Sequence, residues 1–210
     1  MDTQKYKNKY RIASARLQNW NYGWNAAYFV TICTKGRLCY FGNIVETQNF
    51  ASLPEIQLSE IGRLAYDCWF QIPEHFPFVK LGGFIVMPNH VHGIVIIDKV
   101  DDGRGFHDSF AGNIETQNIV EETQNIASLP RGRRKPVNQF GPQSQNLASI
   151  IRGFKIGVTK NARQIKSDFA WQPRFHDHII RNDASFERIS NYIKNNVILW
   201  EKDTFHMGNR

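Results

Sequence analysis

The chain has 210 residues, 41% of them hydrophobic and 13% aromatic, which is enough to bury one sizeable core, so a single domain over 1–210 is expected. Lysine and arginine outnumber the acidic residues by 26 to 19, for a formal charge of +7 and a pI near 9.4; this favours a polyanionic partner, nucleic acid before a membrane surface. Three cysteines without CxxC spacing (Cys33, Cys39, Cys68) speak against a disulfide framework or zinc knuckle and fit a reducing cytoplasm, while the polar, basic N-terminus and the lack of a run of about 18 apolar residues speak against export or a membrane span.

Residues 1–25 form a basic arm in which Arg11, Arg16, Trp20, Tyr22 and Trp24 mix charge with aromatic faces, a composition suited equally to nucleic acid and to a docked tail. The β-rich run from Ala27 to Cys33 is expected as the first strand, ending in a turn at Lys35-Gly36-Arg37. From Leu58, the apolar residues Ile61, Leu64, Ala65, Cys68, Trp69 and Ile72 recur at three- and four-residue steps, predicting a helix that Pro73 stops. Residues 78–87 and 91–97 are strand-like and meet at a Pro88-Asn89 break.

Between 98 and 142 glycine, asparagine, glutamine and charge dominate, predicting an extended loop insertion with a basic end at Arg131-Gly-Arg-Arg-Lys135. The segment ETQNIASLP at 122–130 repeats ETQNFASLP at 46–54 with one change, and ETQN at 115–118 is a partial third copy. These copies are too short and uneven for a solenoid and are expected as tolerated surface insertions.

Helical spacing returns with Leu147, Ile150, Ile151, Phe154, Val158 and Ala162, flanked by the DNA-contact candidates Arg152, Lys155 and Arg163 together with Lys160. A strand is expected over 171–180, carrying Arg174 and ending at Arg181, two further candidates for DNA contact. A last helix follows, with Asp183 as its N-cap and Phe186, Ile189, Tyr192 or Ile193, and Val197 on its inner side. The order strand, helix, strand, strand, helix, strand, helix predicts an α+β, ferredoxin-like and RRM-like fold. It would have a four-stranded, mainly antiparallel sheet, helices on one face and an open face for ligand.

The sharpest feature is MPNHVHGI at 87–94. Alternate residues of a strand share a face, so His90 and His92 project together, about 6.5–7 Å apart at Cα, and two imidazoles can meet one divalent ion. Val91, with Ile94 and Ile96 beyond, is expected on a hydrophobic side opposite the two nitrogens. Taken alone, HxH fits two ordinarily hydrogen-bonded histidines equally well. Tyr192 and Asn196 stand one helical turn apart, so a phenol nucleophile and an amide ligand can approach one metal, which would favour the phenolate. Tyr192 also lies beside the stripe of Phe186, Ile189 and Ile193, so core packing is its other explanation. His176 and His178 alternate on the last strand and are compatible with a supporting, DNA-contacting or structural role.

Four ordered motifs, YFVTICTKGR, IVMPNHVHGIV, WQPRFHDHIIRN and YIKNN, resemble the single-tyrosine HUH transposases, and among them the branch associated with REP palindromes. The resemblance covers nearly all of the chain except 98–142 and the insertion near 46–54. It implies that His90 and His92 are the metal pair, Tyr192 the nucleophile and Asn196 the polar metal ligand, with magnesium or manganese as cofactor. It also implies a substrate of single-stranded or hairpin DNA, a 5′-phosphotyrosine intermediate and a free 3′-hydroxyl. Relatives of this kind include dimers and monomers, so a homodimer is among the expected states. One departure is Val197, where the family carries proline after the asparagine; its absence is expected to loosen the geometry around Asn196. A histidine-triad hydrolase would need a third histidine where Ile94 stands. A catalytically weak or domesticated single-stranded nucleic-acid-binding protein is the alternative function, but it leaves the joint presence of His90, His92, Tyr192 and Asn196 to chance.

Overall fold

The computed structural model describes residues 16–17, 20–45, 53–100 and 144–206. Most of the basic arm, the ETQN copies and nearly all of the 98–142 insertion with its basic run therefore lie outside the described residues. Four strands, β1 (Ala26–Cys33), β4 (Val79–Met87), β5 (His90–Ile97) and β6 (His176–Ile180), make a sheet in the order β4-β5-β1-β6, with every neighbouring pair antiparallel. This is the expected α+β, ferredoxin-like architecture.

Side-chain alternation divides the sheet into two buried faces. Tyr28, Val30, Ile32, Val91, Val95 and Ile97 point to one, where α1 (Glu60–Phe70) contributes Ile61, Ala65 and Trp69 and α3 (Leu147–Ile165) contributes Ile150, Ile151, Phe154 and Val158. Ala27, Ile94, Ile96 and Ile180 point to the other and pack under Ile189 and Ile193 of α4 (Asp183–Asn195). The second face is thus not open as expected: the last helix lies across it, and all eight residues of β5 are buried. Ile94 and Ile96 accordingly share the face of His90 and His92 instead of opposing it, as their even spacing from the histidines requires. The last helix comes close to β4 at a bulge where Gly82 and Gly83 offer no side chain; a Cβ on Gly82 would stand 2.9 Å from Ile94 Cβ.

Local signals set the element ends. Ser59 Oγ accepts from Gly62 N at 3.0 Å and starts α1 there, so Leu58 belongs to β3 (Glu55–Leu58), which pairs with β2 (Gly42–Val45) in a small two-stranded sheet that periodicity did not predict. Four-residue strands carry too little alternation to be seen in a sequence. Beyond α1, Ile72–His75 form a separate short helix, α2, with Pro73 in its first turn. Asn146 and Ser149 make a reciprocal capping box on α3. The expected strand over 171–180 is confined to 176–180: Trp171 makes one isolated bridge to Thr34, Pro173 has no N–H to donate, and Arg174 adopts a left-handed backbone at φ 67°. Asn182, not Asp183, caps α4, its side-chain oxygen accepting from Ser185 N at 2.8 Å.

Trp69 is fully buried and stacks on Phe84 at 4.4 Å, directly over Gly93 between the histidine strand and α1. A Cβ on Gly93 would lie 2.6 Å from Trp69 Cη2 and closer still to Cζ2. Gly93→Ala is expected to lower stability by about 1–3 kcal/mol through overpacking, measured by urea denaturation; a variant as stable as the parent would show that Trp69 is not pinned there.

Candidate active site

The β1–β5 register places His92 opposite Thr31 and His90 opposite Cys33. Thr31 Oγ1 lies 2.9 Å from His92 Nδ1, and Asn89 Oδ1 lies 2.8 Å from His90 Nδ1. The Asn89 amide is oriented by its Nδ2, which donates to Phe205 O at 2.9 Å. Its Oδ1 can only accept, so His90 Nδ1 carries the proton and Nε2 keeps its lone pair. Thr31 can accept from His92 in the same way. The two Nε2 atoms then face each other at 3.0 Å in a site where His90 and His92 are 0% and 1% exposed. Such anchoring of Nδ1 to an oxygen is how metal-binding imidazoles are held.

A third donor comes from Asp203, which sequence reasoning missed. It follows a 3-10 turn at Trp200–Lys202. One carboxylate oxygen accepts from Phe205 N at 2.8 Å, while the other approaches His90 Nε2 at 4.0 Å. Ligand atoms of His90, His92 and Asp203 all lie within 4.8 Å of one another, a cluster able to hold a metal ion. Two neutral imidazoles and a carboxylate suit a divalent cation. Burial pushes the His90 pKa well below its ordinary value, with His92 and Arg37 adding to the effect, so its approach to Asp203 is not an ion pair at neutral pH. Burial, and secondarily His176, pushes His92 down to about 3. Both rings are therefore neutral near pH 7, the form that binds metal.

The phenol of Tyr192 reaches this cluster from α4, with Oη 3.3 Å from His92 Nε2. Its ring stands edge-on to Phe29, which stacks on His92. Tyr192 is 39% exposed, whereas Ile189 and Ile193 are buried, so the inner position is Ile193. Burial raises the Tyr192 pKa, Asp203 raises it further, and a side-chain hydrogen bond with Asn196 acts in the opposite sense. Asn196 is the C-cap of α4, 1% exposed, and its Oδ1 has no hydrogen-bond partner among the described residues. Its N–H bonds Ile193 O, three residues back, at 3.3 Å, where the helix ends ahead of Val197. Phe205 and Trp200 cover the other side of His90.

The structure thus brings His90, His92, Tyr192 and Asn196 to one end of the second sheet face. The basic candidates stand apart. Arg152, Lys155, Arg163 and Arg174 line a groove beside α3, which lies on the opposite face, and Arg181 sits in the turn before α4. His176 and His178 are exposed on β6. Asp203 had no signal in the sequence because chain reversal after α4, not periodicity, brings it back.

A buried histidine pair on a central strand of this antiparallel sheet is thus met by a tyrosine from the last helix. No family model matches the chain. It is 35% identical over 195 residues, covering 92% of both chains, to a protein of Haemophilus influenzae whose function is uncharacterized, and 24% identical over 182 residues, 82% of each, to a second protein of that organism whose name assigns it to the REP-associated tyrosine transposases. Solved structures similar to it include a REP-associated tyrosine transposase bound to a REP hairpin (17% identity, 88% of this chain and 72% of that one, TM-score 0.46) and a protein from Deinococcus radiodurans described as a transposase (11% identity, 87% and 97%, TM-score 0.39). The chain belongs to one family with the first Haemophilus protein; to the second it is similar over most of its length. No helix among the described residues is long and apolar enough to cross a membrane.

Because the folded chain keeps His92 neutral down to about pH 3 while the unfolded chain protonates it near 6.5, the unfolded state binds more protons between these values and stability falls on acidification. With EDTA present, moving from pH 7 to pH 5 is expected to remove about 2 kcal/mol through His92 alone. Urea midpoints of the parent and of His92→Gln check this: the parent should lose more over that interval, and equal losses would contradict a buried neutral ring.

Proposed function

We propose that the protein is a metal-dependent DNA transposase or endonuclease that cleaves and rejoins single-stranded, hairpin-forming DNA through a 5′-phosphotyrosine. The observation that carries this reading is the 3.3 Å approach of Tyr192 Oη to His92 Nε2, at a point where two imidazole lone pairs and a carboxylate already converge. His90, His92 and Asp203 would hold magnesium or manganese, and Asn196, whose buried amide oxygen has no hydrogen-bond partner among the described residues, would complete the set. When bound, the ion draws charge from the scissile phosphate and favours the phenolate.

In this reading the chain's own groups position the reaction. Asn89 and Thr31 fix the ring orientations, Phe29 braces His92 and Tyr192, and burial keeps water off the lone pairs. The phenol releases its proton to solvent and attacks phosphorus, the bond to the 3′-oxygen breaks, and that oxygen takes up a proton to leave as a 3′-hydroxyl. Because the phosphoryl bond is conserved in the protein–DNA link, the freed or another 3′-hydroxyl can reverse the step without an outside energy source. The tyrosine acts beside histidines of its own chain.

With manganese and a labelled single-stranded hairpin, the parent protein is expected to form a covalent adduct that survives denaturing electrophoresis, and Tyr192→Phe to form none; an equal yield from the variant rejects Tyr192 as nucleophile. Asp203→Asn should weaken manganese binding by about tenfold or more in calorimetric titration, as loss of a charged ligand demands, whereas unchanged affinity would remove Asp203 from the coordination set.

A further inference from the structure

The groove beside α3 has a volume of about 580 Å³, and Arg152, Lys155, Lys160, Arg163 and Arg174 line it together with Ile156, which is 60% exposed. No carboxylate among the described residues lines it. Like charges gathered without a counter-charge repel one another, so this surface is complementary to a polyanion. From Arg152 to Arg163 the four cations on α3 run about 16 Å along the helix axis, long enough to meet several successive phosphates.

Trp171 and Phe175 form the facing wall. Lys155 Nζ donates to the carbonyls of Gln172 and Arg174 at 2.8 and 3.1 Å, and Arg163 Nε donates to Phe169 O at 3.1 Å. These bonds tie the wall to the helix and hold two of the charges within the groove. Immediately after Phe175 the chain enters β6, an edge strand of the sheet. There His176 pairs with Thr31 and His178 with Phe29, which places both exposed histidines on the face of His92. His176 stands near enough to depress the His92 pKa. Groove and candidate active site are thus joined around one sheet edge.

We infer that the groove binds the sugar-phosphate backbone of DNA flanking the cleaved bond, the strand passing over the β6 edge beside His176 and His178 to reach Tyr192. The identity of the polyanion rests on the DNA-cleaving function proposed above; the groove itself rests on charge and shape.

Binding of a 5′-extended DNA hairpin to Tyr192→Phe protein, read by fluorescence anisotropy with EDTA across a KCl series, tests this without any cleavage. Each neutralised phosphate contributes about 0.7 (single strand) to 0.9 (duplex) to the slope of log affinity against log salt. Arg152→Gln combined with Lys160→Gln is expected to reduce the slope by about 1.4–1.8, while Lys80→Gln, which breaks a pair with Asp98 at 2.7 Å away from the groove, leaves it unchanged. An unchanged slope in the folded double variant overturns the proposal. Should that variant not fold, amine labelling of Lys160 in the Tyr192→Phe protein decides: protection by the hairpin supports the groove, and equal labelling with and without DNA overturns it. Equal protection by polyglutamate would reassign the groove to acidic peptides and likewise overturn it. A failed adduct assay with intact, salt-sensitive DNA binding sinks only the cleavage reading, so the two outcomes are separable.

Discussion

The hydrogen bond from His90 Nδ1 to Asn89 Oδ1 governs much of the site's chemistry. An amide whose nitrogen is already committed to a backbone carbonyl has one role left toward its neighbour, that of acceptor. This single bond sets the tautomer of a fully buried ring and turns its other nitrogen, as a lone pair, toward His92 and Asp203. Two such lone pairs at 3.0 Å with a carboxylate nearby would be a poor use of a protein interior unless a cation belonged there, since burying polar atoms without compensation costs about 1–3 kcal/mol each. The Asn196 oxygen, without a hydrogen-bond partner among the described residues, adds to the same imbalance.

That constraint also explains why the site is drawn from separate parts of the chain. The β1–β5 register supplies Thr31 and the histidines. The turn between β4 and β5 supplies Asn89, α4 supplies Tyr192 and Asn196, and the segment after α4 returns Asp203 and Phe205 to the rings. Asn89 links the turn to that returning segment through Phe205 O, and Arg37 anchors it from the other side, donating to Thr204 O at 2.7 Å and lying over the Phe205 ring. The imidazoles are therefore held by the sheet, and the carboxylate by a segment that Asn89 and Arg37 tie down.

The sheet, the two helices under it and the histidine pair were legible in the sequence because each repeats a period over many residues or sits beside a turn signal. Features that depend on single residues were displaced. Ser59 and Asn182 moved two helix starts, and Pro173 with Arg174 shortened the last strand to five residues. Ile94 and Ile96 lie with the histidines, because a two-residue period puts all four side chains together; α4 can cover that face because Gly82 and Gly83 leave room. The β2–β3 pair was too short to show. Asp203 could not be read at all, since nothing in a linear pattern records which residue a chain reversal brings back.

Tyr192 shows how one helix serves both core and chemistry. Successive residues of α4 are rotated by about 100°, so Ile189, Ile193 and Asn196 fall within one inward arc and Tyr192 falls on its shoulder. From the shoulder a phenol can touch Phe29 and His92 while keeping an exposed flank, which neither a fully inward nor a fully outward position allows. The roll of the helix is set by Ile189 and Ile193 against Ile94 and Ile96, and its start by Asn182. A roll of one residue would bury the phenol and expel Asn196. The apolar packing that made Tyr192 ambiguous in the sequence is therefore what holds its oxygen at the rim of the candidate metal cluster.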